Sequence, residues 1–269
     1  MVSTNDRLPV SEIGWGGAAI SALLVLVAVA ISKWRRLGLE SSLLWAALRA
    51  AVQLSAVGLL LTAVFDSNFS LAWAWCWVVS MVLIASETLR RRAPEVTGLF
   101  GLALCAFGLT CVVVLGVLFG LGVFELDART LVPIAGLLIG NGLATSVLVV
   151  RRVHGEIGDH QDEVEARLAL GQTSNEASAP FLRQALRTAL IPQIETTKAV
   201  GLVVLPGAMT GLILAGVDPL DAVRVQAAVM FVVLGSVATT STVIALGVRR
   251  RLFTKDQRLV RIVRPAASK

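Results

Sequence analysis

Apolar residues run in seven blocks along this chain, at 14–32, 42–64, 71–86, 97–124, 131–150, 199–217 and 225–247. A helix rising about 1.5 Å per residue needs roughly 20 such residues to cross about 30 Å of bilayer hydrocarbon. Spanning strands would need much shorter, alternating runs. The pattern therefore predicts an all-α polytopic protein of about seven transmembrane helices, forming a single transmembrane domain over 1–269. The first block could imitate a signal peptide, since Ala28-Val29-Ala30 has a small-x-small pattern. Its leader, however, carries Asp6, Arg7 and Glu12 in place of net positive charge, so it reads as a retained helix.

The polar positions between the blocks set an orientation. Lys33, Arg35 and Arg36 follow the first block, Arg90 to Arg92 the third, Arg151 and Arg152 the fifth, and Arg249 to Arg251 the seventh. Cationic loops stay on the cytoplasmic side. The N-terminus is thus expected outside and the C-terminus in the cytoplasm of a multi-pass inner- or plasma-membrane protein. Composition agrees, with 56% hydrophobic and 16% charged residues and a mean hydropathy of +0.79. A net charge of +6 would suggest nucleic acid in a soluble protein. Here topology absorbs the excess, so the partner is the lipid bilayer and no nucleic acid is expected. The basic tail, 252–269, is expected against anionic lipid or a cytoplasmic partner, or as a disordered end.

One polar stretch is long enough to have structure of its own, the cytoplasmic loop 151–198. Within 155–170, Ile157, Val164 and Leu168 share a helical face while Asp159, Asp162, Glu163 and Glu165 face water, predicting an amphipathic helix that prolongs the fifth span. Gly171 ends it, and Thr173-Ser174-Asn175-Glu176 offers a capping box for a second helix. Pro180 is expected to start a third helix, running to Ile191 with Arg183 and Arg187 on one face, and Pro192 to end it. The result is a compact elbow suited to docking, against the plainer reading of a surface loop returning the chain.

Polar groups inside the spans mark candidate chemistry. Arg49 costs about 2.5 to 3.5 kcal/mol at a bilayer centre. With Gln53 one turn on, it either lines a path or snorkels to the interface. Asn141, between Gly140 and Gly142, either bridges two helices or touches cargo. Glu87 beside Arg90 to Arg92 reads as an interfacial ion pair. Leu205-Pro206-Gly207-Ala208-Met209-Thr210-Gly211 breaks the sixth span near its middle, which is a transporter gate or a passive proline kink. Met209 offers a soft thioether to a metal ion or fills a gap. Thr239 to Thr242 are expected to back-bond to their own helix.

Other chemistry is excluded. No G-x-x-x-x-G-K-[ST] run is present, so any ATP hydrolysis belongs to another chain. Cys76, Cys105 and Cys111 fall inside spans and fit no disulfide framework or zinc spacing. His154 and His160, the two histidines, have no nucleophile placed beside them by any motif and default to solvated surface roles. The chain is not expected to be an enzyme and has no catalytic candidate.

The run EARLALGQT from Glu165, then ALRTALIPQIETTKAVGLVVLPGAMTGLILAGVDPLDAVRVQ from Ala185 to Gln226, carries a resemblance. Arg49 to Leu54, Pro133 to Gly136 and Gly140-Asn141 extend it in the same order. The chain resembles the iron-export ABC transporter permeases, a group that also contains aluminium-tolerance half-transporters of plants. The resemblance implies two permease copies paired with two copies of an ABC-type ATPase, ATP and Mg bound by that ATPase and no cofactor by this chain, and export of iron or another metal ion. Glu165, Ala166, Gly171, Arg183 and Arg187 would then dock the ATPase. Arg49, Gln53, Asn141, Pro206, Gly207, Met209 and Thr210 would shape the translocation path, with Met209 the one metal candidate. The family commonly has two methionines after the Pro-Gly, whereas Ala208 holds the first of those places here, which weakens a methionine site. Family members are also assigned a nucleotide sugar, so a UDP-glucose-like cargo is one alternative. An ATP-independent secondary transporter or membrane scaffold is another.

Overall fold

Helices satisfy every backbone group within one segment, which hydrocarbon demands, and among the described residues helices are the only extended regular elements. A computed structural model describes residues 15–65, 70–254 and 256–260. The acidic leader, the loop 66–69 and the tail beyond Val260 lie outside the described residues. Nine helices follow in order among those described: α1 (Trp15–Trp34), α2 (Glu40–Phe65), α3 (Ser70–Arg92), α4 (Leu99–Gly120), α5 (Ala128–Asp159), α6 (Gln161–Ala169), α7 (Ser174–Ala199), α8 (Gly207–Leu214) and α9 (Pro219–Arg251). Five of them, α2, α3, α4, α5 and α9, are long and apolar enough to cross a membrane, and α1 contributes a shorter apolar stretch, Ala22–Trp34.

The chain divides into two compact units, one of Met1–Ser70 with Gly211–Asp218 and one of Leu71–Thr210 with Pro219–Lys269. In the first, α1 and α2 pack together across a tight turn in which Arg36 and Gly38 both take positive φ. Buried Ser32 holds that turn. Its hydroxyl donates to Glu40 at 2.9 Å and accepts from the Leu39 amide at 3.2 Å.

In the second unit α5 and α9 form the centre, α7 packs on both, and α4 lies against α9 and α5. The buried positions of α5 include Leu131, Ala135, Leu138, Gly142, Thr145, Val149, Val153 and Ile157. That spacing of three and four residues makes one continuous stripe. Where α4, α5 and α9 meet, the residues are small. A Cβ on Gly142 would stand 3.4 Å from Phe107 Cε1 and 3.9 Å from Thr240 Cγ2, and Thr110 shares a buried 2.8 Å hydroxyl hydrogen bond with Thr240. Further along α9, a Cβ on Gly247 would collide with the Leu102 side chain of α4. Such close approach is how helices associate where lipid removes the hydrophobic drive between them. At one end of the unit, Arg151 donates to the Arg92 carbonyl at 2.8 Å and Arg251 to the Gly98 carbonyl at 3.1 Å. These guanidiniums tie α5 and α9 to the two ends of the α3–α4 connection.

Several expectations need correction. The predicted helix over 155–170 is two pieces, because α5 runs on to Asp159 and breaks at His160, whose ψ of 30° leaves the helical region, before α6 begins. Its faces are as expected: Ile157 and Val164 are fully buried, and Asp159, Asp162, Glu163 and Glu165 are exposed. The capping box forms, with the Thr173 hydroxyl accepting from the Glu176 amide and the Glu176 carboxylate from the Thr173 amide. No third helix starts at Pro180, however, and Pro192 ends nothing, because α7 continues through both to Ala199. A proline removes one backbone donor without forcing termination where packing holds the ladder, and here Ala177, Phe181, Ala185 and Ala189 bury one side of α7. The sixth block is not one span. Residues 200–206 are non-helical, with Gly201 at φ 88°, and α8 has eight residues, about 12 Å of rise.

Gly247→Ala is expected to destabilise the protein by about 1–3 kcal/mol through overpacking, and Leu102→Ala added to it to restore part of the loss. A double-mutant cycle of detergent-solubilised unfolding measures the coupling, and zero coupling means that α4 and α9 do not approach as described. Glu176 has its pKa lowered from 4.5 by the Thr173 amide and hydroxyl. Its cap therefore stabilises α7 fully above pH 4.5 and loses that contribution as the pH falls through the lower folded value. Protection factors for amide exchange in the first turn of α7 should drop over that range in the native chain and stay flat in Glu176→Ala.

Candidate functional site

At the polar end of the second unit lies an open groove of about 550 Å³, lined on one side by Glu165, Leu168, Gly171, Gln172 and Thr173 and on the other by Asp256, Gln257, Arg258 and Leu259. The first wall is the α6–α7 junction. Its turn closes through hydrogen bonds from the Gly171 amide to the Leu168 carbonyl at 3.0 Å and from the Gln172 amide to the Arg167 carbonyl at 3.1 Å. Gly171 takes φ 87° there, the left-handed conformation that ends helices and that a side chain would strain.

Behind that wall an aromatic knot fixes the angle between α5, α6 and α7. The imidazole of His160 stacks on Phe181, with centroids 4.6 Å apart, and its Nδ1 lies 2.9 Å from the Glu156 carbonyl. Arg167 stands over the same phenyl ring at 5.6 Å and pairs with Glu163 at 2.6 Å. His160 is thus more than a solvated surface residue. The sequence signal that could have found it is the aromatic four residues after the second helix's own first turn, but stacking across three helices is not legible from spacing.

The second wall is the segment after α9. Buried Leu252 anchors it, Phe253 and Leu259 form an antiparallel bridge, and the Val260 amide donates to the Leu252 carbonyl at 2.8 Å. At the tip Gln257, with φ 58°, accepts the Ser174 amide hydrogen bond at 2.8 Å. The tail thereby supplies a partner to the first turn of α7 that α7 itself lacks. Within its described part, the tail is an ordered element of this site and not a loose end, and Gln257 and Arg258 are site residues that sequence reasoning missed.

Of the expected docking residues, Glu165 and Gly171 line the groove, and exposed Ala166 lies on α6 one residue from Glu165. Glu165 accepts from Gln161 at 3.0 Å. Arg183 and Arg187 are both exposed, one turn apart on α7, with no side-chain partner among the described residues. The expected path residues are spread over both units. Arg49 and Gln53 sit on exposed positions of α2 in the first. Asn141, Pro206, Gly207, Met209 and Thr210 belong to the second.

Asn141 forms no hydrogen bond to another helix among the described residues; its Nδ2 donates to the Leu137 carbonyl of its own helix at 2.8 Å. A half-buried amide can be satisfied by the preceding turn as well as by a neighbour. Thr210 likewise bonds back to the Pro206 carbonyl at 3.2 Å. Thr239 and Thr242 back-bond as expected, whereas Thr240 pairs with Thr110 of α4. Glu87 pairs with Arg90 and Arg91 at 2.7 and 2.6 Å. Met209 is half-buried, and among the described residues no three His, Cys, Asp or Glu side chains gather where a metal ion could bind.

Comparison with known proteins places this architecture. The model of a family described as uncharacterised protein family UPF0014 matches residues 15–253. UPF0014 membrane protein YjkA of Bacillus subtilis is 34% identical over 241 residues, 90% of this chain and 96% of that protein. UPF0014 membrane protein STAR2 of Oryza sativa is 36% identical over 222 residues, 82% and 77% of the two chains. The probable iron export permease protein FetB of Escherichia coli is 34% identical over 238 residues, 87% and 90% of the two. No solved structure matches the chain. With apolar helices of membrane-spanning length and a match over nearly all of its length, the chain is a multi-pass membrane protein that belongs to the UPF0014 family.

Proposed function

We propose that this chain is the membrane-spanning permease subunit of an ABC transporter, exporting iron or another metal ion with ATP and Mg bound and turned over by a separate ATPase. The observation that carries the reading is the groove and exposed α7 face at the polar end of two long helices. α5 and α9 have 32 and 33 residues, about 48 and 50 Å of rise, against roughly 30 Å of hydrocarbon. Both therefore project well beyond the membrane as stiff rods and carry the elbow and the tail on their ends. The name of the relative FetB, a probable iron export permease, supplies the cargo class. The sequence contains no G-x-x-x-x-G-K-[ST] loop, which supports the reading that a partner hydrolyses the nucleotide.

In this reading two copies of the chain assemble with two ATPases. The basic clusters at 33–36, 90–92, 151–152 and 249–251 support a topology in which the N-terminus is outside and the elbow and tail are in the cytoplasm. The segment 199–217, with its 200–206 break and short α8, completes a seventh membrane passage as an interrupted element, tolerable where freed backbone groups face protein or water. Arg183 and Arg187 supply positive charge to an acidic surface of the ATPase beside the elbow.

Arg49 favours a second reading of the cargo. It stands exposed on α2 with no side-chain partner among the described residues, and an unpaired guanidinium at membrane depth suits an anion such as a nucleotide sugar.

Inside-out vesicles holding the chain and its ATPase should accumulate radioactive iron only with ATP. If ATP drives no iron uptake while a nucleotide sugar stimulates the ATPase and Arg49→Ala abolishes its flux, the architecture stands and the cargo is an anion. Reversing the charge of Arg183 and Arg187 together should lower ATPase association at least about tenfold, by losing two complementary charges. Unchanged association removes both arginines from the docking surface.

A further inference from the structure

Cationic residues at one end of a membrane protein are ordinarily explained by topology alone. In the second unit several are also tied up in structure. Arg90 and Arg91 pair with Glu87, while Arg151 and Arg251 donate to the Arg92 and Gly98 carbonyls. The α1–α2 turn of the first unit differs. Lys33, Arg35 and Arg36 are exposed there within four residues, and no carboxylate pairs with any of them among the described residues. Glu40, the acid nearest in sequence, accepts from Ser32 instead.

The backbone holds this cluster in one shape. The Arg36 amide donates to the Lys33 carbonyl at 3.2 Å and the Leu37 amide to the Ser32 carbonyl at 2.9 Å, the paired bonds that close a helix end around a left-handed residue. Glycine usually takes that place. Here Arg36 does, at φ 53°, a conformation that its Cβ disfavours. Strain kept at a charged residue points to a role for its side chain. Arg35 lies over the Trp34 ring at 5.1 Å, and stacking uses the face of a guanidinium while leaving its edge donors for an anion. Trp34 and Leu37 are themselves 79% and 56% exposed.

An occupant must bring negative charge with acceptor oxygens, and apolar surface beside it. The turn also lies at a defined depth, because one apolar stretch ends at Trp34 and the next begins at Glu40, which puts the residues between them at the level of the lipid headgroups. A phospholipid is already there and supplies both features in one molecule. An acidic protein surface would have to reach the same depth to cover Trp34.

We propose that the α1–α2 turn is a binding site for an anionic phospholipid, with the phosphate held by Lys33, Arg35 and Arg36 and the acyl region against Trp34 and Leu37. The site is independent of the cargo and of any ATPase.

The full-length chain in mild detergent, equilibrated with equal amounts of phosphatidylglycerol and phosphatidylcholine, should retain phosphatidylglycerol in native mass spectra. Replacing both Arg35→Gln and Arg36→Gln should lower that preference about thirtyfold, the effect of two surface cations. Replacing both Arg90→Gln and Arg91→Gln removes the same charge from guanidiniums already paired with Glu87, and should leave it unchanged. Arg36→Gly should lower the preference while raising the thermal transition, because glycine relieves the backbone, which separates lost binding from a damaged fold. Several results overturn the proposal: no preference in the native chain, full preference in the Arg35 and Arg36 variant, an equal loss in the Arg90 and Arg91 control, or displacement of the lipid by soluble glycerol 1-phosphate at matched concentration. A photo-crosslinker in place of Leu37 that joins the chain to a polypeptide in native membranes, and not to lipid, overturns it as well.

Discussion

Close approach of α4, α5 and α9 at small side chains is the constraint on which the second unit depends. In lipid, helices gain little by hiding apolar surface from one another, so contact must come from backbones near enough for dense packing and a few interhelical hydrogen bonds. Gly142 beneath Phe107, the Thr110–Thr240 pair and Gly247 against Leu102 supply that approach at successive levels. α4 runs antiparallel to α9 along the whole seam, from the Thr110–Thr240 pair to the Gly98–Arg251 contact. Thr110, Thr239, Thr240 and Thr242 spend their hydroxyls on structure, whereas the buried Ser146 and Ser241 hydroxyls have no hydrogen-bond partner among the described residues.

Because that seam fixes α5 and α9 side by side, whatever they carry beyond the membrane is positioned too. α5 leads directly into the α6–α7 elbow and α9 directly into the tail. α7 packs on both long helices, the His160–Phe181–Arg167 knot sets the elbow angle, and Gln257 closes the tail onto α7. The groove thus stands at the end of the frame that α5, α7 and α9 make, and its place follows from helix length and packing.

The reach of sequence reasoning differed between these parts. Blocks of apolar residues announced the helices because hydrocarbon leaves the backbone no alternative, and Thr173 with Glu176 announced the start of α7 because capping is a local hydrogen-bond exchange. Prolines misled. Pro180 and Pro192 looked like boundaries, yet α7 runs through both, since the alanines and Phe181 on its buried side hold the ladder against two missing donors. Pro206-Gly207 announced a break in the sixth block, but the break lies earlier than expected, over 200–206 with Gly201 at positive φ, and 207–214 is helical.

By itself the sequence determined that the chain is helical and membrane-embedded and that a capped polar elbow interrupts it. These follow from composition, periodicity and near-neighbour chemistry, which act over a few residues. The tertiary structure alone decided that Asn141 is satisfied by its own helix, that Thr240 reaches α4, and that Gln257, far along the chain, completes the first turn of α7 and turns the tail into a wall of the groove. Each joins or withholds partners across the fold, and which distant groups meet is set by how the helices pack, not by the spacing of residues along any one of them.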